Sequence, residues 1–242
     1  MIIRNQIPNA VTLLNLLCGS IAVTLAFSGD LVLASWFIIL AAGFDFLDGM
    51  LARALKAHSA TGAQLDSLAD VISFGLAPSA ILYVLFRESQ GVAALPCEMP
   101  VLPFTAFIFV ISAAFRLARY NVEGTANKHF RGLPAPAAGL FIASLPLIPV
   151  YGGPVHIAWN FIGNEFVLLG IAILLSVLMV SRLPMLSLKF RNLKWQDNRS
   201  GYFLAISAAV LLPLLQATAI PIIIVLYILV SIAVNYFSKY NH

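Results

Sequence analysis

Long apolar runs, interrupted by few charges, follow one another through most of the 242-residue chain. A run of about 20 apolar residues is long enough to cross the hydrocarbon core of a bilayer as a helix. With 61% hydrophobic and only 10% charged residues, and a mean hydropathy of +0.94, the composition is far from that of a soluble domain. We therefore expect an all-α protein, a polytopic bundle of transmembrane helices.

The runs predict eight spans, the seventh of which is short. They lie at about 9–28, 31–55, 62–86, 101–120, 133–150, 164–181, 202–216 and 219–237, after a short interfacial lead at 1–8. We expect a single integral membrane domain over 1–242, with a core at about 1–181 and an additional C-terminal helix pair at about 201–237.

The positive charges indicate an orientation. With eight spans, 13 of the 14 Lys and Arg residues fall on one side of the membrane, and Arg87 alone falls on the other. Basic loops stay on the cytoplasmic side. We therefore expect both termini to face the cytoplasm from the cell (inner) membrane.

Four aspartates lie inside or beside these apolar runs: Asp45, Asp48, Asp66 and Asp70. Each pair shares one helix face, because its members are three or four residues apart. A hairpin around residues 58–61 would bring the pairs together on the cytoplasmic side. Carboxylates at membrane depth are costly, and only Arg53 and Lys56 lie nearby to neutralise them. Oxygen ligands without His or Cys favour Mg²⁺ or Mn²⁺ over zinc.

The residues around these acids suit a phosphate-bearing ligand. Gly49, Ala52 and Gly62 leave room beside the carboxylates, and the guanidinium of Arg53 is shaped for phosphate. A metal, a phosphate and a flat nucleotide would all fit this description.

The stretch from Asp45 to Asp70 reads D-x2-D-G-x2-A-R-x8-G-x3-D-x3-D. It resembles the signature of the CDP-alcohol phosphotransferase family, with all eight fixed positions matched. The flanking stretches IPNAVTLLNLLCG, DSLADVISFGLAPS, FRLARYNVEG and FRGLPAPAAG resemble the phosphatidylserine synthase branch of that family. The resemblance implies a six-helix family core followed by two C-terminal helices.

The resemblance also implies a reaction. The acceptor hydroxyl, that of L-serine, would attack CDP-diacylglycerol to give phosphatidylserine and CMP, with two divalent cations, Mg²⁺ or Mn²⁺, as cofactors. Asp45, Asp48 and Asp66 would bind the metals, and Asp70 would be both a ligand and the catalytic base. The CDP portion would contact Asp48, Gly49, Arg53 and Gly62. A homodimer in membrane lipid, with no nucleic-acid partner, is expected.

Polar residues outside the signature have two interpretations. Arg116, Arg119 and Asn121 form a compact donor set for the acceptor, or the arginines are cytoplasmic anchors that end a helix. Asn9, Thr12 and Asn15 share a helical face, which would line the nucleotide pocket or hydrogen-bond to a neighbouring helix. We expect the Ser73 hydroxyl to bond to carbonyls of its own helix.

The sequence leaves two alternative functions open. The same chemistry could use glycerol phosphate or inositol phosphate as the acceptor. A divalent-cation transporter could also cluster acids in a membrane, although it would gain nothing from Arg53 beside its cation site.

Overall fold

The structure is a computed structural model that describes residues 2–57, 59–89, 101–123, 132–152, 163–186 and 199–240. These residues form helices and short connections, and no β-strand occurs among them. A helix satisfies its own backbone N–H and C=O groups, as a lipid environment requires. The prediction of an all-α membrane bundle is confirmed.

Ten α-helices occur in the described ranges. They are α1 (Ile2–Phe27), α2 (Leu31–Ala54), α3 (Ala60–Asp70), α4 (Ala77–Ser89), α5 (Phe107–Glu123), α6 (Ala135–Ser144), α7 (Ile148–Tyr151), α8 (Glu165–Val180), α9 (Arg199–Leu215) and α10 (Ala219–Tyr240). A π-helical segment, Val71–Leu76, joins α3 to α4 without a break. Tighter 3₁₀ turns lie at Leu102–Ala106, Leu145–Leu147 and Gln216–Thr218.

Each predicted span falls on a helical stretch. Within the described part of the chain, five stretches are long and apolar enough to cross a membrane: Gln6–Phe27, Leu31–Ala54, Ala60–Ser89, Leu102–Val122 and Gly201–Val234. Two shorter apolar stretches, Ala135–Tyr151 and Glu165–Val180, match the fifth and sixth predicted spans. Gly201–Val234 holds the last two, which are separated where Gln216 takes a φ of 48°.

The beginning of the chain differs from the prediction. Helix α1 already begins at Ile2, so the predicted lead at 1–8 is continuous with the first span, and Pro8 lies within the helix. A proline near the start of a helix removes one early hydrogen bond and leaves the following turns intact.

Helices α1 and α2 form a hairpin, and a second tight connection turns the chain from α2 into α3. Asp30 caps α2 by accepting a hydrogen bond from the backbone N–H of Leu33 at 3.0 Å. After α2 the chain reverses at Lys56, which has a φ of 49°. Ser59 then caps α3, because its Oγ accepts from the N–H of Gly62 at 2.9 Å. This connection places the end of α2 beside the start of α3.

The π-helical segment lies at the centre of the bundle, packed against α1, α5 and α6. A Cβ on Gly19 of α1 would overlap the Oγ of Ser73 and lie 2.7 Å from its Cα. A Cβ on Gly139 of α6 would lie 3.0 Å from the Cα of Phe74, which is fully buried. Two glycines therefore let neighbouring helices touch the backbone of this segment.

Close packing also corrects the expectation for Ser73. Its Oγ donates to the carbonyl of Asn15 on α1 at 3.0 Å rather than to its own helix. Because Ser73 lies directly against Gly19 of α1, the Asn15 carbonyl on that helix is within hydrogen-bond distance of the Ser73 hydroxyl. The hydroxyl thus joins two helices.

The 181–186 segment follows α8 and connects three parts of the molecule. Its Leu183 carbonyl accepts from the N–H of Gly132 at 2.8 Å, ahead of α6. At its other end, Leu186 donates its N–H to Ser231 Oγ at 3.3 Å and accepts from Tyr227 at 2.9 Å. Both partners of Leu186 lie on α10, so the C-terminal helix is attached to the core through this segment.

Candidate active site

The connection between α2 and α3 brings the predicted aspartates together. Asp45 and Asp48 lie near the end of α2, while Asp66 and Asp70 lie on α3. Carboxylate oxygens of Asp45, Asp48 and Asp66 lie within 4.8 Å of one another. We call these three residues the acidic triad.

The triad fits hard divalent cations. Asp48 is only 6% exposed, and Asp45 and Asp66 are half-buried. Among the described residues, Asp48 Oδ2 and Asp66 Oδ1 are buried without a hydrogen-bond partner. A buried carboxylate oxygen without a donor is costly. Three converging carboxylates of this kind match the oxygen ligands of Mg²⁺ or Mn²⁺.

Asp70 lies beside the triad, one turn beyond Asp66 on the same helix. Asp70 is 7% exposed and lies within electrostatic range of the three other acids. Its carboxylate is not part of the acidic triad. Asn15 donates its Nδ2 to Asp70 Oδ1 at 3.5 Å, the long end of the hydrogen-bond range. Asn15 therefore contacts a neighbouring helix, which was one of its two expected roles.

One cavity opens beside the triad on the side of α1. This α1-side cavity has a volume of about 520 Å³. Its lining includes all six residues predicted to bind CDP: Asn9, Thr12, Asp48, Gly49, Arg53 and Gly62.

Gly62 gives this cavity part of its shape. A Cβ at Gly62 would lie 2.9 Å from Ser59 Oγ and 3.0 Å from Asn9 Oδ1. The missing side chain therefore lets Asn9 approach the start of α3. Thr12, one turn along α1 from Pro8, donates its hydroxyl to the Pro8 carbonyl at 3.1 Å. Polar atoms of α1 thus line the cavity opposite α2.

A second cavity of about 520 Å³, the α5-side cavity, opens on the other side of the acids. It includes all four aspartates and two of the three predicted acceptor residues, Arg116 and Asn121. Arg116 is 8% exposed and lies within electrostatic range of Asp70. Asn121 donates Nδ2 to Ser67 Oγ at 2.9 Å. Asp48, Gly49, Arg53, Ala63 and Asp66 line both cavities.

The third predicted acceptor residue, Arg119, has a different position. Its Nη1 donates to the carbonyl of Val180, at the end of α8, at 3.2 Å. Among the described residues that line the α5-side cavity, Arg119 does not occur. An arginine at this place satisfies a carbonyl that a helix end leaves open. Its acceptor role stays a prediction.

Sequence reasoning missed several residues of the α5-side cavity. Leu186 and Tyr227 line it, as do Pro134 and Pro136 at the start of α6. The FRGLPAPAAG stretch contains both prolines, so their region carried a signal, although their place in a cavity did not. Tyr227 is one of several tyrosines in the last helix, and its partners come from segments far away in the chain, so no spacing rule could find it.

Three converging carboxylates beside two cavities, within a bundle of apolar helices, are suited to the site of a membrane-embedded enzyme. The chain belongs to the CDP-alcohol phosphatidyltransferase family, whose pattern it matches over residues 5–178. It is therefore an enzyme, and the cation-transporter alternative is excluded.

The chain is similar to proteins named CDP-diacylglycerol–serine O-phosphatidyltransferase. That of Helicobacter pylori is 34% identical over 194 residues, which cover 78% of this chain and 74% of the relative. That of Bacillus subtilis is 33% identical over 141 residues, covering 58% of this chain and 75% of the relative. An archaetidylserine synthase of Methanothermobacter thermautotrophicus is 33% identical over 148 residues, covering 60% of this chain and 59% of the relative.

Proposed function

We propose that the protein transfers the phosphatidyl group of CDP-diacylglycerol to the hydroxyl of L-serine, giving phosphatidylserine and CMP. The observation that carries the proposal is the position of Asp48 and Asp66, which line both cavities. Two substrates that must exchange a phosphate group need a shared reacting centre. The names of the similar proteins support serine as the acceptor.

The α1-side cavity is the proposed site for the CDP portion. Arg53 offers a planar pair of donors for phosphate, and Gly49 keeps its neighbourhood open, since a Cβ there would meet only Arg53 Nη1 at 3.8 Å. Asn9 and Thr12 supply polar contacts from α1. The lipid tails of the donor would lie along exposed apolar side chains near the site, such as Phe46, which is 66% exposed.

The α5-side cavity is the proposed site for serine. Arg116 would pair with the serine carboxylate, because a guanidinium binds carboxylates through two parallel hydrogen bonds. Asn121, at the same cavity, offers an amide to the acceptor. The serine hydroxyl would then lie toward Asp70.

The proposed step begins when the Asp70 carboxylate takes the proton of the serine hydroxyl. The serine oxygen forms a bond to the phosphorus that carries the diacylglycerol group, and the bond from that phosphorus to the bridging oxygen breaks. CMP leaves with that oxygen. Positioned general-base catalysis of this kind contributes roughly 10²- to 10⁴-fold in rate.

The acidic triad would hold a divalent cation, with Asp70 contributing to a second. Bound Mg²⁺ or Mn²⁺ neutralises charge on a diphosphate and on the departing phosphate oxygen. The buried carboxylate oxygens without partners support this assignment.

Purified protein with CDP-diacylglycerol, L-serine and either Mn²⁺ or Mg²⁺ is expected to release CMP and to form phosphatidylserine in equal amounts. Both products are measured, with Asp48→Asn protein as the inactive control. If glycerol phosphate or inositol phosphate supports turnover and serine does not, the proposed acceptor is wrong. CMP release that does not depend on any acceptor would mean hydrolysis instead of transfer.

A further inference from the structure

We propose that α10 and the 181–186 segment form a wall of the acceptor cavity, and that Tyr227 in this wall selects acceptors that carry an ammonium group. The proposal rests on the proposed function for the identity of the acceptor. It gives the C-terminal helix a direct part in substrate selection.

Tyr227 lies within the cavity wall. Its side chain is 5% exposed, and it lines the α5-side cavity together with Asp45, Asp70 and Arg116. Arg116 lies within electrostatic range of both Tyr227 and Asp70. The cavity therefore has a cationic group with an aromatic ring and carboxylates around it.

This arrangement complements an amino acid. The carboxylate of the acceptor would pair with Arg116, and its ammonium group needs an electron-rich partner. Tyr227 supplies two: its ring face, by a cation–π contact, and a lone pair of its hydroxyl oxygen. Glycerol phosphate and inositol phosphate have no ammonium group to place against this tyrosine.

The wall is held in place by hydrogen bonds. The Tyr227 hydroxyl donates to the Leu186 carbonyl at 2.9 Å, and the Leu186 N–H donates to Ser231 Oγ at 3.3 Å. Tyr227 and Ser231 are one turn apart on α10, so both backbone groups of Leu186 bind to one face of that helix. The orientation of the Tyr227 ring is therefore coupled to the 181–186 segment.

The wall lies outside the part of the chain that defines the family. The family pattern ends at residue 178, whereas Leu186 and Tyr227 follow it. The residues proposed to bind the CDP portion all precede that limit. The proposed binding site for CDP-diacylglycerol thus lies in the part of the chain that matches the family pattern. The C-terminal region adds this wall of the acceptor cavity.

The test compares serine with 3-hydroxypropionate, which is serine without its ammonium group. Wild-type protein is expected to prefer serine. In Tyr227→Phe the KM for serine should rise about 3- to 10-fold, the effect of one hydrogen bond, while the KM for CDP-diacylglycerol stays unchanged. Tyr227→Ala, which also loses the ring, should lose most of the preference for serine over 3-hydroxypropionate. Tyr83→Phe is the matched control, because its ring packs against Phe27 and Phe104, away from the cavity.

Unchanged serine KM and unchanged preference in folded Tyr227→Phe protein would overturn the proposal, and this variant keeps the test valid if Tyr227→Ala does not fold. A wild-type enzyme that ignores serine would refute the proposed function separately. That result would also refute the selection of an ammonium group by Tyr227, and the position of the wall alone would be supported if Tyr227→Phe changed the KM of the acceptor that is used. It would be refuted if that KM stayed the same.

Discussion

The four aspartates differ in what surrounds each carboxylate. Asp48 and Asp66 each have a buried oxygen without a protein donor in the described structure, whereas Asp70 accepts from Asn15. The first two are suited to a cation, and the last is adjacent to the cavity proposed for the acceptor hydroxyl. We therefore propose that Asp48 and Asp66 serve chiefly to bind metal, whereas Asp70 also moves a proton.

Replacement by asparagine tests this separation. Asp45→Asn, Asp48→Asn and Asp66→Asn should each abolish turnover, because each removes a charge that the cations need, and EDTA should do the same to the wild type. Asp70→Asn should lower kcat by roughly 10²- to 10⁴-fold and leave CDP-diacylglycerol binding largely intact. Rates and donor affinity are measured for each variant.

Asp30→Asn provides the control, because asparagine caps a helix as well as aspartate does and Asp30 lies at the far end of α2. Full activity in EDTA would contradict the metal account. A parallel loss of donor binding in Asp70→Asn would contradict its role as the base.

The sequence predicts these residues unequally well. The aspartates could be found because a helix converts spacing into a shared face, and a short hairpin joins the two pairs. Ser73 and Tyr227 could not, because their partners, Asn15 and Leu186, depend on how distant helices approach one another. Arg119 illustrates the ambiguity of arginines, since a guanidinium can satisfy a helix end as readily as a ligand.

Among the elements, the π-helical segment Val71–Leu76 follows directly after Asp70 and packs closely against its neighbours. Glycines on α1 and α6 contact its backbone, and Ser73 bonds across to α1. Asn15 of α1 contacts two residues of this region: its carbonyl accepts from Ser73, and its side chain donates to Asp70. Packing at Gly19 is therefore coupled to the position of Asp70.

Gly19→Ala should destabilise the protein and lower its activity. Its new methyl group would overlap Ser73, and overpacking of this kind costs typically about 1–3 kcal/mol. Gly170→Ala in α8 is the matched control, because nothing lies within 4 Å of a Cβ there, and alanine favours a helix over glycine by about 1 kcal/mol. Thermal unfolding in detergent and kcat are measured for both. Equal behaviour of the two variants would refute the coupling.

Element boundaries follow from the sequence where local signals are strong. The predicted second span, 31–55, agrees with α2 to one residue, because Gly29 and Asp30 mark its start and the polar stretch after Ala54 marks its end. The π-helical segment has no such signal: VISFGL is an ordinary apolar stretch whose backbone depends on tertiary packing. The start of α1 at Ile2, ahead of Pro8, likewise has no local sequence signal.

For the whole molecule, the helices show an integral membrane protein, and its orientation remains our proposal. From the positive-inside pattern we propose that both termini and the aspartates lie on the cytoplasmic side of the cell (inner) membrane. A single domain with a core at about 1–181 and a C-terminal pair at about 201–237 is likewise proposed, as is the homodimer. The bonds between Leu186 and α10 support one domain.

Cysteine labelling tests the orientation at the two ends of one span. In protein with Cys18→Ala and Cys97→Ser, a membrane-impermeant maleimide should label Ser28→Cys on intact cells, because the α1–α2 turn faces outward. Ala54→Cys, at the other end of α2, should react only after the membrane is permeabilised. Retained activity of each variant shows that the fold is intact. The reverse labelling pattern would refute the orientation.

The π-helical segment also changes the phase of the long helix that contains it. Each residue advances an α-helix by about 100°, so one wide turn rotates everything after it relative to everything before it. Asp66 and Asp70 line the α5-side cavity, whereas the residues at the start of α4, Ala77–Leu82, are buried on every side of the helix. Loss of one residue from Val71–Leu76 would turn the two aspartates by about 100° relative to α4. The extra residue thus lets the direction of the acids be set independently of how α4 packs in the core.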